Sequence, residues 1–178
     1  GHVRVELARI LAYVEIGVFH GASLIAAMLG NEGRRFVGID SFAFRDASLD
    51  RVHANLARFD LVPPEIVVGD AFELVPIGAL GDVSIGVWYY DAAHSYEAQL
   101  EGLRIAEPLL VSGALVIVDD GAREDEIEMV ELWRDLEGVG FEAESLDFLP
   151  HAPVVLTMVA SESRIAELRR AREGSPTR

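Results

Sequence analysis

The stretch Tyr13–Gly30, "YVEIGVFHGASLIAAMLG", decides the fold. A short apolar run, broken by Glu15, leads into Gly17 and Gly21, and an amphipathic helical pattern follows at once. That is a strand-to-helix junction turned by glycines, the opening unit of an α/β sheet. The spacing Gly17-Val-Phe-His-Gly21 is neither the three-glycine dinucleotide fingerprint nor a phosphate loop with its lysine. A carboxylate at the end of the strand disfavours a phosphate ligand still further.

The same alternation continues outward from this unit. Strands are expected at Ala12–Val18, Arg34–Asp40, Glu65–Asp70, Val83–Asp91 and Gly113–Asp120. Helices are expected at Ala22–Leu29, Ser48–Asp60, Tyr96–Leu110 and Glu124–Gly138. Two last strands, Phe141–Phe148 and Ala152–Ala160, are too close in sequence for a helical crossover and should pair antiparallel. The tail from Ser161 reads as an arginine-rich helix. The expected fold is α/β: one domain over residues 1–178, a doubly wound, mostly parallel, Rossmann-like sheet of seven strands ending in an antiparallel hairpin.

Composition narrows the chemistry. The 178 residues are 51% hydrophobic, as a folded core requires, and no apolar block approaches the ~20 residues of a membrane span. The N-terminus shows no secretory signal pattern, so a cytoplasmic protein is expected. Cysteine and lysine are both absent, which removes disulfides, zinc–thiolate sites, thiol nucleophiles and lysine Schiff bases. The net charge of −15 repels nucleic-acid phosphates.

In a doubly wound sheet, ligands bind beyond the carboxyl ends of the strands. Here those ends carry Glu15, Asp40, Asp70, Asp91 and the pair Asp119-Asp120. Any one of them would pass for a turn residue or helix cap. Five such ends on one rim instead form an acidic cleft, suited to a cation, a metal or a hydroxyl-rich ligand. Asp40 stands about 20 residues past the glycine turn, where an acid takes ribose hydroxyls. Glu15 suits an ammonium group. A ribose and an ammonium without a phosphate describe S-adenosylmethionine. Asp91, Asp119 and Asp120 would repel one another unless protonated or bridged by a cation, and an all-oxygen set favours magnesium, calcium or manganese. Alternatively Asp119 caps a loop and Asp120 a helix, with no metal. His94, just past the fourth strand, is a candidate general base, a metal ligand or a helix cap.

With "VGIDSF", "VVGDAFE", "DAAHSYEA" and "VIVDD" following the glycine turn in that order, the chain resembles the class I S-adenosylmethionine-dependent methyltransferases. The likeness runs from Tyr13 to about Ala160 and is greatest to small bacterial, metal-dependent O-methyltransferases acting on sugars and catechols. It implies a methionine-side loop made by Glu15, Gly17 and Gly21. It also implies a ribose ligand in Asp40, an adenosine site lined by Ser41 and Phe42, and an adenine edge met by Asp70 and Ala71. Phe72 would stack on the base or pack in the core. Asp91 would serve cofactor, metal and catalysis together, and a magnesium ion on Asp91, Asp119 and Asp120 would grip neighbouring substrate hydroxyls. Relatives often carry Gly-Asp where this chain has Ala92-Ala93, so the base falls to His94, to the metal alone, or to other chemistry. His20 is a weaker candidate.

The expected activity is transfer of a methyl group to a small-molecule hydroxyl of a sugar, polyphenol or other secondary metabolite, with no nucleic-acid or membrane partner. The alternatives are a relative resembling cephalosporin hydroxylase and a non-catalytic S-adenosylmethionine-binding protein. Barely a dozen residues precede the first strand, so the acceptor pocket would be open or completed by a second copy in a homo-oligomer. Segments 41–51 and 121–126 are the expected lids.

Overall fold

The computed structural model describes residues 11–119 and two further strands, Phe141–Asp147 and Val155–Ala160. In chain order the elements are β1 (Ala12–Ile16), α1 (Ala22–Met28), β2 (Arg35–Asp40), α2 (Leu49–Arg58), β3 (Glu65–Val68), α3 (Ala71–Leu74), β4 (Ile85–Tyr90), α4 (Tyr96–Ala106), β5 (Leu110–Val118), β6 (Phe141–Asp147) and β7 (Val155–Ala160). They form one sheet in the order β3-β2-β1-β4-β5-β7-β6. The first five strands pair in parallel. β7 runs antiparallel to both β5 and β6. Strand order reverses between β1 and β4, so the crevice of a doubly wound sheet opens above those two strands.

Alternation along each strand builds a core on either face. Val14, Ile16, Val37, Ile39, Trp88, Tyr90, Val116 and Val118 share one cluster with Ala71 and Val75 near α3 and Leu100 and Leu103 of α4. Phe36 points the other way, into a second cluster with Leu24, Ile25 and Met28 of α1 and Val52 and Leu56 of α2. Parallel strands covered on both faces need such continuous apolar runs, which is why these strands lack a clean polar alternation.

Element limits depart from the sequence expectation where the backbone turns. β1 ends at Ile16 because Gly17 takes φ +89°, rather than continuing to Val18. β5 begins at Leu110, earlier than Gly113; its register shifts opposite Ile85–Val87, and Gly113 takes φ +75°. The short helix α3 had no periodicity long enough to announce it; Asp70 starts it by accepting a hydrogen bond from the Phe72 N–H at 2.8 Å. The segments 120–140, 148–154 and 161–178 lie outside the described residues, and with them the expected helix at 124–138, the expected lid at 121–126 and the tail helix. Among the described residues no helix is long and apolar enough to cross a membrane.

α4 lies very close to the sheet. A Cβ placed on Gly102 would sit 2.4 Å from the Tyr90 ring, which is fully buried. Glycine to alanine in a helix ordinarily stabilises by about 1 kcal/mol. Here the methyl meets a ring with nowhere to go, and overpacking costs roughly 1–3 kcal/mol. Gly102→Ala should therefore lower stability in urea unfolding; a gain would show that α4 can ride outward freely.

Candidate functional site

Backbone hydrogen bonds extend the sheet ladder one step past the strands and fix the rim. Gly69 N–H donates to Asp40 O at 3.0 Å, Gly17 N–H to Ile39 O at 2.9 Å, Asp91 N–H to Ile16 O at 2.8 Å and Asp119 N–H to Tyr90 O at 2.9 Å. The acidic tips of β2, β1, β4 and β5 therefore stand side by side, with Asp70 next to Gly69 at the same edge.

The glycine turn presses onto this rim. A Cβ on Gly17 would fall 1.8 Å from the carbonyl oxygen of Asp91, so only glycine passes there. Gly21 takes φ +82° and caps α1 through its backbone. The turn is then tied down by Asp40, whose carboxylate accepts from Phe19 N–H at 2.7 Å and from Phe42 N–H at 2.6 Å. Each oxygen keeps a lone pair for another donor. Asn55 of α2 adds a hydrogen bond from its amide to His20 O at 2.9 Å. Ser41 is exposed at the rim, while Phe42 is half-buried against the second core. Ala71 is buried and Phe72 packs against the first core, so Phe72 is a packing residue here. Asp70 stays exposed as the cap of α3.

Glu15 is not on the cleft surface. Its side chain is 0% exposed, facing α1, and accepts hydrogen bonds from the Tyr13 hydroxyl at 2.6 Å and the Ser23 hydroxyl at 2.7 Å. Burial raises its pKa, the two hydroxyls pull it down, and Asp91 and Asp40 push it up again; burial wins and the carboxyl titrates at about 7. Tyr13 is held as the neutral phenol by burial and by the Glu15 charge. Tyr13 stacks with Tyr89 at 6.5 Å between ring centroids, and the Tyr89 hydroxyl donates to an Asp119 oxygen at 2.9 Å. Burial, then Asp119, drives the Tyr89 pKa far up. A row of hydroxyl–carboxyl pairs, fully buried at Glu15 and half-buried at Asp119, thus underlies the acidic rim. Sequence reading missed Tyr13, Ser23 and Tyr89. The period of two that puts Tyr13 and Glu15 on one face was available, but not the helix that closes over them.

Asp91 is half-buried at the switch point, next to Ala92 and the exposed Ala93. The Tyr90 hydroxyl, pushed up to about 12 by burial, donates to Ala93 O at 3.0 Å and holds this loop. Ser95 caps α4 by accepting from Ala98 N–H at 3.3 Å. The cap is therefore taken, and His94 stands exposed without a hydrogen-bond partner among the described residues. His20 is engaged instead: its ring contacts Asp46 O at 3.1 Å and stacks on Phe19. Asp119 meets Tyr89, and Asp120 lies outside the described residues. Among the described residues no group of three metal-ligating side chains is close enough to hold an ion.

A family model described as a methyltransferase domain matches residues 14–121. Among solved structures, cofactor-bound Rv0187 from MTB superposes with a TM-score of 0.63 at 23% identity, covering 85% of this chain and 73% of that one. An O-methyltransferase from Bacillus cereus, solved in complex with SAH, gives 0.64 at 18% identity, covering 83% and 73%. The O-methyltransferase TomG from Streptomyces achromogenes, involved in tomaymycin synthesis and solved with SAM, gives 0.61 at 20%, covering 84% and 73%. At these identities the likeness establishes a shared fold. A sequence search of curated proteins finds no match.

Glu15 makes a pH-dependent contribution of definite sign. Its folded-state pKa lies above the ordinary 4.5, so protonation favours the folded chain. The contribution is full below about pH 4.5 and is lost as pH rises through about 7. Glu15→Gln cannot titrate. Its stability relative to the parent should rise by about 2–3 kcal/mol between pH 5 and 8, read by urea unfolding at both pH values; parallel pH curves for the two proteins would refute the buried acid.

Proposed function

The chain belongs to the methyltransferase-domain family, and from that premise we propose that it moves the methyl group of S-adenosylmethionine to a hydroxyl of a small molecule. One observation carries this reading: a rim of carboxylates at the switch point, under a glycine turn, with the Asp40 carboxylate set between Phe19 N–H and Phe42 N–H. Such a rim rejects a pyrophosphate and accepts a cationic nucleoside.

The residues fit that ligand in different ways. Asp40 retains acceptor capacity for ribose hydroxyls. Gly17 and Gly21 let the backbone approach a ligand closely. Asp91, half-buried at the switch point, offers an acceptor to an ammonium group. Glu15 acts from beneath the turn, supplying negative charge across its buried hydrogen bonds rather than by contact. Ser41, Asp70 and Ala71 border the adenosine end. When bound, S-adenosylmethionine supplies a methyl group on a positively charged sulfur. His94 takes the proton of the acceptor hydroxyl as its oxygen gains the methyl and the carbon–sulfur bond leaves its electron pair on sulfur. The Tyr90 hydroxyl ties down Ala93 O, one residue before that histidine.

Magnesium belongs to the finer form of this reading. Asp91 and Asp119, with Asp120 beyond the described residues, provide the hard oxygen donors magnesium takes, and an ion there would acidify a bound hydroxyl. Tyr89 would orient Asp119 for it. The net charge of −15 supports a small acceptor over a nucleic acid, and a cytoplasmic setting fits the cysteine-free chain. Ala93, where relatives carry an acid, favours one second reading, a protein that binds the cofactor without turnover.

Calorimetry with S-adenosylhomocysteine should show saturable binding that Asp40→Ala weakens at least tenfold, since a charged acceptor's hydrogen bonds are worth about 1.5–3 kcal/mol. Absence of binding to the parent protein removes the proposal. With any acceptor found by screening, His94→Ala should lower kcat by roughly 10²–10⁴ while nucleoside affinity stays within about twofold of the parent. Binding without turnover under magnesium would select the second reading.

A further inference from the structure

The glycine turn is gripped from two sides, and one of them is α2. From the strand ends, the Asp40 carboxylate accepts from Phe19 N–H at 2.7 Å. From α2, Arg51, Val52 and Asn55 meet the turn. Asn55 lies three and four places past Val52 and Arg51, so the three share one face of the helix. Asn55 donates from its amide to His20 O at 2.9 Å. Val52 is fully buried, and a Cβ on Gly21 would meet its methyl at 3.2 Å. Arg51 pairs with Asp46 and lies 3.3 Å from the His20 ring nitrogen. The same ring nitrogen contacts Asp46 O at 3.1 Å, so the expected lid at 41–51 is tied to the turn.

Between the two grips stands a residue in an unfavourable conformation. Phe19 takes φ +51°, the left-handed region that a bulky side chain rarely adopts. Such a backbone persists only where its surroundings over-determine it. The peptide groups beside Phe19 meet that condition. Its own N–H is committed to Asp40. The peptide joining His20 to Gly21 is held at both ends: Gly21 N–H donates to Val18 O at 2.7 Å, and His20 O accepts from Asn55. That peptide cannot rotate while both bonds stand. Without Asn55 only the turn's internal bond resists, and Phe19 can relax to negative φ, carrying its N–H off Asp40.

Asn55 is an unusual choice for its position. It sits in the interior of α2, which spans Leu49–Arg58. Asparagine weakens a helix interior because its side chain competes for backbone hydrogen bonds. What it contributes there is the contact with the turn, made from a half-buried side chain.

We propose that Asn55 is a positioning residue for the nucleoside. By holding His20 O it keeps Phe19 left-handed, and with it the hydrogen bond that orients the Asp40 carboxylate. The assignment rests on the reading above, in which Asp40 takes the ribose of S-adenosylmethionine. Asn55 acts through the turn and not by contact with the ligand.

The test is calorimetry with S-adenosylhomocysteine on the parent protein, on Asn55→Ala, on Phe19→Gly and on the two changes combined. Asn55→Ala should weaken binding roughly three- to tenfold, the worth of one neutral hydrogen bond. Alanine is the better helix former, so α2 itself is not weakened. Asn55→Asp, equal in shape but lacking the donor, should weaken binding at least as much. Glycine takes left-handed φ without penalty, which makes the clamp redundant. Added to Phe19→Gly, Asn55→Ala should therefore cost less than about twofold. A residue that only docks α2 would lower the urea midpoint in both backgrounds and leave affinity alone. Parent-like affinity in Asn55→Ala and Asn55→Asp would overturn the assignment, as would an Asn55→Ala loss of one size with and without Phe19→Gly. Failure of the parent protein to bind S-adenosylhomocysteine would instead remove the methyltransferase reading, and the assignment with it.

Discussion

The structure turns on a space too small for a side chain. Where β1 hands over to α1, the chain crosses the end of β4 so closely that Gly17 lies against the carbonyl of Asp91. A methyl there would collide with backbone, which cannot move without breaking the Asp91 N–H to Ile16 O bond. That contact brings the turn down onto the switch point, and it places Phe19 within reach of Asp40. The pinned turn and the acidic rim both follow from it. A larger residue would lift the turn and separate parts that work only in contact.

The rim carries an electrostatic load that the fold distributes rather than neutralises with bases. Asp40 spreads its charge into two backbone N–H groups, Asp70 into the start of α3, and Asp119 into the Tyr89 hydroxyl. Glu15 is treated differently: it is sealed beneath the turn with two hydroxyl donors, at a pKa near neutrality. Asp40 and Asp70 are held by backbone amides, Asp119 by a phenol, and the buried Glu15 by two hydroxyls that can adapt as it gains or loses its proton. A cation arriving above would draw Glu15 toward its charged form.

Much of this was legible in the sequence, and the failures have physical reasons. Alternating apolar runs and helical stretches gave the strand order's raw material, and the acids at the ends of β1, β2, β4 and β5 were readable because strand ends in such sheets share one edge. Glu15 looked like a ligand because position along a strand says which face a side chain takes, but not what covers that face; α1 and Ser23 cover it. Phe42 was expected to line the adenosine site, and Phe72 to stack on the base or pack in the core, because aromatic character does not distinguish a cleft from a core; both pack against the cores. α3 was invisible because a single turn is shorter than a helical period can be read.

The tight seat of α4 against the sheet couples two properties that usually vary separately. Tyr90 fills the gap left by Gly102 with its ring, and with its hydroxyl it holds the Ala93 carbonyl one residue before His94. The helix-to-sheet spacing and the loop residue before a candidate proton acceptor are therefore set by one phenol. Sequence drift at 102 toward a larger residue demands a smaller one at 90, and the smaller residue gives up the tether. The two sites are bound in a single compensating pair, so this loop cannot be retuned without also re-spacing the layer that supports it.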